Sequence, residues 1–237
     1  MSSIKVSDAL TSLLVPRSFK RENWEAFLYT PYSRKLSRRA YLYTPLGYDL
    51  WVHLESDPRI KVFNERVPMV PLTIGGGKAI IAQPDAISVD HSGDATVHEV
   101  VRNNQAVGQS ETAERLDLEM ASPWAVWANG QGLTYKQWLP SELRQNTIQL
   151  ENTKRLLRWV CRPGCVSSPM VEEAVITELK HRRVTTWNVL FRSLGHFEPN
   201  GLSSAIVALV LDGRIYSDLH KFYLSQVTEL SAFHEFD

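Results

Sequence analysis

Apolar positions change their period several times along the chain. Over residues 46–55, Leu46, Leu50, Val52 and Leu54 recur at mostly helical spacing. Pro45 suits the first turn of that helix, and Asp57-Pro58 stops it. Residues 67–72 and 78–81 read as short strands around Gly75-Gly76-Gly77, a flexible turn. Those glycines make no phosphate loop, because neither a Lys-Ser/Thr pair nor a helix follows them. Residues 85–90 predict a strand, 91–94 a turn and 95–101 a second strand. Residues 103–110 are polar and loop-like, and 111–120 have helical composition. The apolar run 124–127 predicts a buried strand, and Leu139-Pro140 opens a helix predicted to run from Ser141 towards Leu157. This order implies an α/β sheet flanked by helices.

Pro163-Gly164 is a break, and the pattern changes after it. Helices are predicted over 169–182, 185–194 and 203–212, the last ended by Gly213. Residues 214–219 and 222–224 then predict a short hairpin. Three helices followed by a small β-wing describe a winged helix, a helix-turn-helix variant. The domain boundary is placed near residue 160, giving domains over 1–160 and 161–237.

Charge refines this picture by its distribution, not its total. The 237 residues carry 26 Lys+Arg against 26 Asp+Glu, so any nucleic-acid surface must come from local clustering. Residues 17–39 hold seven basic and two acidic side chains, and residues 154–192 hold eight basic and three acidic. Residues 193–237 reverse the balance, with two basic and six acidic. The longest apolar stretch, 205–211, is too short to span a bilayer. The first residues, MSSIKVSDALTSLL, lack an apolar core ending at a small-residue cleavage site, so no secretory leader is expected. Cys161 and Cys165 have no second Cys/His cluster to complete a metal site and are expected as reduced thiols in a cytoplasmic protein. None of the seven histidines has paired metal-ligand spacing, and each is expected at the surface or in a capping role. Trp51, Trp124, Trp127 and Trp187 are expected in the core.

The stretch richest in chemistry is PDAISVDHSGDATVHEVV, residues 84–101. Asp85 begins one predicted strand and Glu99 lies near the end of its neighbour. Strand alternation puts Val97, Glu99 and Val101 on one face and His98 on the other. Two carboxylates brought together among Val and Ile repel unless a cation lies between them. Mg²⁺ or Mn²⁺ is the natural occupant, and such a metal activates water for attack on a phosphodiester. A pair of acids on the exposed face of an edge hairpin has the same spacing.

Pro-Asp, a hairpin, then Glu-x-basic resembles the signature of the PD-(D/E)XK nuclease superfamily. The wider order is more specific. A helix ending Leu54-Glu55-Ser56-Asp57-Pro58 is followed by Ile60-Lys61-Val62-Phe63, Glu65, PDAISV, HEVV, a Trp-rich strand and a helix carrying Asn152. The tail carries Ala205-Ile206, residues 209–211, Gly213-Arg214-Ile215, Asp218-Leu219 and residues 224–228. Over residues 32–230 this order resembles TnsA, the endonuclease subunit of heteromeric DNA transposases. The resemblance implies a restriction-endonuclease-like domain, with a mixed sheet flanked by helices, followed by a winged helix. It implies 5′-strand cutting at transposon ends, double-stranded DNA as ligand, a DDE-type transposase subunit and an AAA+ transposition regulator as partners. The family's metal-binding Asp falls on Asp85 and its following acid on Glu99.

Two positions depart from the family. The catalytic lysine falls on Val101, which cannot polarise a phosphate, and the adjacent Arg102 points to the other face. The helical acid falls near Tyr48. Asp49 is the nearest third acid but is rotated by about 100°. Glu55 shares the face of Tyr48 but lies about 10 Å further along the axis. Weak or absent cutting is therefore expected. One alternative is an active metal-dependent nuclease completed by Lys78, Asp49 or Arg102. Another is a non-catalytic DNA-binding assembly protein. DNA contacts are expected from Arg34, Lys35, Arg38 and Arg39, and from Lys180, Arg182 and Arg183 beside Thr185-Thr186-Trp187-Asn188.

Overall fold

A computed structural model describes residues 8–16, 28–74, 77–101, 122–163, 165 and 167–232. The predicted loop 103–110, the helical composition of 111–120, and Arg17, Lys20, Arg21, Gly75, Gly76, Arg102 and Gly164 lie outside the described residues. The described residues form two compact units. The first takes residues up to Thr30, Arg39–Leu54 and Arg59–Leu143. The second takes Pro31–Arg38, Glu55–Pro58 and the chain from Arg144 onward.

The first unit is built on a four-stranded mixed sheet. Helix α1 (Asp8–Leu14) and α2 (Pro45–Ser56) precede β3 (Ile60–Asn64); β1 (Tyr32–Ser33) and the turn at 34–37 that leads to β2 (Arg38–Arg39) belong to the second unit. A hairpin of β4 (Val70–Ile74) and β5 (Lys78–Ala82) forms its own two-stranded sheet. Then come β6 (Ala86–Asp90), β7 (Ala95–Val100), α3 (Pro123–Gly130), β8 (Thr134–Trp138) and α4 (Pro140–Leu143). The sheet order is β3-β6-β7-β8. β3, β6 and β7 run antiparallel, and β8 runs parallel to β7. A parallel neighbour needs a crossover connection, and α3 lies in it. Residues 86–89 of β6 are all buried, so this strand is covered on both faces. Ile87, Val89, Ala95 and Val97 pack with Val67, Leu72, Trp124 and Ala128 in one core.

The predicted strand at 124–127 is instead the middle of helix α3. Pro123 occupies its first turn, the Ser122 hydroxyl accepts the Trp124 N–H at 3.2 Å, and Trp124 and Ala128 share the buried face while Val126 is 65% exposed. An apolar run this short fits either period, and the cap decides it. Strand β8 has no counterpart among the predicted elements. The helix predicted from Ser141 to Leu157 is broken: α4 ends at Leu143, and Asn146 caps a new helix by accepting the Gln149 N–H at 2.9 Å.

That new helix is α5 (Thr147–Val160), and it belongs to the second unit, ahead of the boundary placed near residue 160. After it come α6 (Pro169–Arg182), β9 (Val184–Thr186), α7 (Trp187–Ser193), α8 (Pro199–Leu211), β10 (Tyr216–Ser217) and β11 (Glu229–Ser231). The three strands form an antiparallel sheet in the order β10-β11-β9. Val175, Leu179, Leu190, Ile206, Leu209 and Leu230 build the core, with Trp187 and Phe191 packed against it. Two predicted elements are corrected here. Residues 184–186 are a strand and not the first turn of a helix, since Arg183 adopts φ 64° and reverses the chain after α6. Residues 222–224 are loop, because Glu229–Ser231 takes the pairing with β10.

Candidate active site

The β6–β7 register ends at Ala86 opposite His98, and Asp85 and Glu99 lie just beyond that last pair. The Asp85 N–H donates to the His98 carbonyl at 3.1 Å. The carboxylates themselves have protein partners. Asp85 Oδ2 accepts the Val100 N–H at 2.8 Å. Glu99 Oε2 accepts the Ser122 hydroxyl at 2.7 Å and also the Tyr135 hydroxyl. Burial first, and the bond to Glu99 second, push the Tyr135 hydroxyl pKa up, so it stays a donor. Val101 continues the strand, its N–H donating to the Trp138 carbonyl at 3.0 Å.

Asp85 also lines a cleft of about 300 Å³, together with Tyr41, Tyr43, Trp51 and Glu65; Glu99 is not in its lining. Glu65 is buried, accepts the Tyr41 N–H at 3.2 Å and lies 3.6 Å from Arg66 Nε. It is thus the second acid of the cleft, a residue that entered the sequence reading only as a landmark. Asp49 is buried in α2, and Lys78 is exposed at the start of β5. Tyr48 stacks between Tyr29 and Trp51, with ring centroids 4.9 and 5.6 Å away. A carboxylate in place of Tyr48 would break that stack. Among the described residues no three His, Cys, Asp or Glu side chains converge to hold a metal ion. Mg²⁺ takes near-octahedral oxygen donors. Asp85 and Glu99, both held by protein hydrogen bonds and joined by no third converging acid among the described residues, fall short of that set.

His98 corrects the expectation of a surface or capping role. It is 3% exposed, and burial lowers its pKa to about 3. Cys161 and Cys165 are both free thiols.

The predicted basic residues are distributed unevenly. In the turn 34–37, Glu55 is the organising group. It is 4% exposed and accepts the Ser33 hydroxyl at 2.5 Å and the Arg34 and Lys35 N–H groups at 2.8 and 3.3 Å. Lys35 Nζ donates to the Asp57 carbonyl at 2.5 Å, and burial lowers its pKa to about 8. Arg34 pairs with Asp212 at 3.1 Å. Arg38 is half-buried, and Arg39 donates to the Thr30 carbonyl at 3.1 Å. Lys180, Arg182 and Arg183 are exposed at the end of α6, with Arg182 bonded to Glu178 at 2.5 Å and to Ser193 at 2.9 Å.

Missed by the sequence reading were Ser122 and Tyr135, the hydroxyls that occupy Glu99. Both are more than twenty positions from it, and no local pattern marks them. Comparison with protein-family models and with characterised proteins returns no match for this chain.

Proposed function

We propose that the protein is a TnsA-like subunit of a DNA transposition complex, with a nuclease-like first domain whose 5′-strand cutting is weak or lost. Its role is to hold double-stranded DNA ends together with a DDE-type transposase subunit and an AAA+ regulator. The observation that carries this reading is the element order α2, β3, β6, β7, α3, β8, with β8 parallel to β7 and Asp85 and Glu99 just beyond the last β6–β7 pair. The resemblance expects the helix, PDAISV and HEVV in this order, with a Trp-rich strand where α3 stands and no counterpart for β8.

Loss of cutting has three supports. Val101 stands where an ammonium group would contact the scissile phosphate. Tyr48, in its aromatic stack, stands where the helical acid would be. The Glu99 carboxylate is occupied by two hydroxyls.

The second unit supports a winged-helix reading through helices α6, α7 and α8 and the small antiparallel sheet β10-β11-β9. Its last helix is unlike a base-reading helix. α8 carries no charged residue, and Leu202, Ala205, Ile206, Val207 and Leu209 are each at most 1% exposed. A recognition helix must present side chains to the major groove. A winged domain whose last helix is core suits partner docking and backbone contact better than base reading.

The test is incubation of the protein and its partners with transposon-end DNA in Mg²⁺ or Mn²⁺. Bound ends without 5′-strand nicks are expected. Robust 5′ cutting that Asp85→Ala abolishes would overturn the loss of activity, and no binding to DNA ends would overturn the reading as a whole.

A further inference from the structure

Resting on the DNA-binding part of that reading, we infer that the second unit grips DNA through the outer face of α5, continued onto the loop between β10 and β11. The helix has two faces. Leu150, Leu156, Leu157 and Val160 are buried, and Arg155, Arg158 and Trp159 lie outside, with Arg162 following one turn after Arg158. Among the described residues, Arg155, Arg158 and Arg162 make no ion pair. Arg34, Lys154, Arg182 and Arg214 each do. Lys180, Arg183 and Arg192 also make none, so what sets this face apart is the exposed aromatic rings among its arginines.

Aromatic rings lie among them. Trp159 is 37% exposed, Tyr223 55% and Phe222 63%. The Arg155 guanidinium sits 5.7 Å from the Tyr223 ring centroid and joins the loop to the helix. Asn152 fixes the loop, donating to the Leu219 and Phe222 carbonyls at 2.8 and 2.7 Å and accepting the Leu224 N–H at 2.8 Å. Exposed aromatic rings on a loop pinned from below are a preformed surface. At its other end Arg162 shares a cleft of about 300 Å³ with Arg34, Ser37 and Ser204, cations and hydroxyls suited to a phosphate group. Arginine interleaved with aromatic rings is the chemistry of a nucleic-acid backbone with stacked bases or sugars, and guanidinium forks match phosphate oxygens.

Fluorescence anisotropy of the full chain with labelled duplex and single-stranded DNA, across a salt series, tests this. Arg155→Ala/Arg158→Ala/Arg162→Ala is expected to weaken duplex binding at least tenfold and to lower the slope of log affinity against log salt by about 2 to 3. The corresponding triple Lys variant keeps the slope, which separates charge from misfolding. Trp159→Ala and Tyr223→Ala are expected to weaken single-strand binding more than duplex binding. Lys180→Ala/Arg182→Ala/Arg183→Ala is expected to have the smaller effect. Wild-type affinity in the α5 variant, or a larger loss in the α6 variant, overturns the inference and leaves the proposed function standing. If the wild-type chain binds neither DNA, both fall.

Discussion

His98 has both ring nitrogens committed inside the first unit. Trp138 Nε1–H donates to Nδ1 at 3.1 Å, and Nε2 lies 2.8 Å from the Ser88 hydroxyl oxygen. An indole nitrogen only donates, so Nδ1 is unprotonated and Nε2–H donates to Ser88. The ring is neutral, and burial followed by the nearby Lys136 charge lowers its pKa to about 3 from 6.5. The unfolded chain therefore binds more protons than the folded one between those values. The contribution to stability is complete above about pH 6.5 and is lost as pH falls towards 3, on the order of 5 kcal/mol in all. The check is twofold. Urea midpoints should decline across that window, and the His98 ring signal should stay that of a neutral imidazole to about pH 4. A ring that titrates near 6.5 would contradict the buried geometry. Asn152 makes a similar prediction without charge. Replacing it by Ala removes the three bonds that hold the 219–224 backbone, at about 1 kcal/mol each. Denaturant unfolding should register the loss, and limited proteolysis should find loop 218–228 cut faster.

Among the elements, the helix after Ser122 shows what a sequence conveys and what it does not. Strands predicted at 78–81, 85–90 and 95–101 were legible because turns and alternation mark them locally, the one predicted at 67–72 starts instead at Val70, and α2 was legible because Pro45 and Asp57-Pro58 bracket it. Trp124, Ala125, Val126 and Trp127 carry no such mark when taken as apolar residues alone. The deciding feature is the Ser122-Pro123 start, a capping signal one residue outside the run. For the same reason the β6–β7 hairpin between Asp85 and Glu99 was legible, since a two-strand hairpin is a local object. The hydroxyls that occupy Glu99 come from the crossover helix and from β8, which no local pattern joins to it. Ser122→Ala removes both the cap and one bond to Glu99. The cap alone costs about 1 kcal/mol. The loss should appear in the urea midpoint of the first unit. Ser122→Asp, which keeps a capping oxygen but adds charge beside Glu99, should be the more damaging change. If Asp is the better tolerated, Ser122 matters as a cap and not as a partner of Glu99.

At the scale of the whole chain, the second unit is not a contiguous stretch. It borrows 31–38 and 55–58, and Glu55 at the end of α2 is the residue around which the borrowed turn closes. Cys161, just past α5, lies against that carboxylate, its Sγ 3.9 Å from Glu55 Oε1. Burial first, and the Glu55 charge second, push its thiol pKa up to about 12. Cys161 should therefore resist alkylation in the intact protein at pH 8, where a thiolate is needed for reaction. A fragment of residues 144–237 lacks Ser33, Arg34 and Glu55 and uncovers that thiol. Mass spectrometry after timed alkylation should show Cys161 reacting far faster in the fragment than in the full chain. Cys165, which bonds Ser204 and Trp159 within the fragment itself, should change much less. Equal Cys161 rates in the two proteins would mean that the borrowed segments do not cover it. The second unit would then be a self-sufficient C-terminal domain, separable at residue 144 without the N-terminal turn.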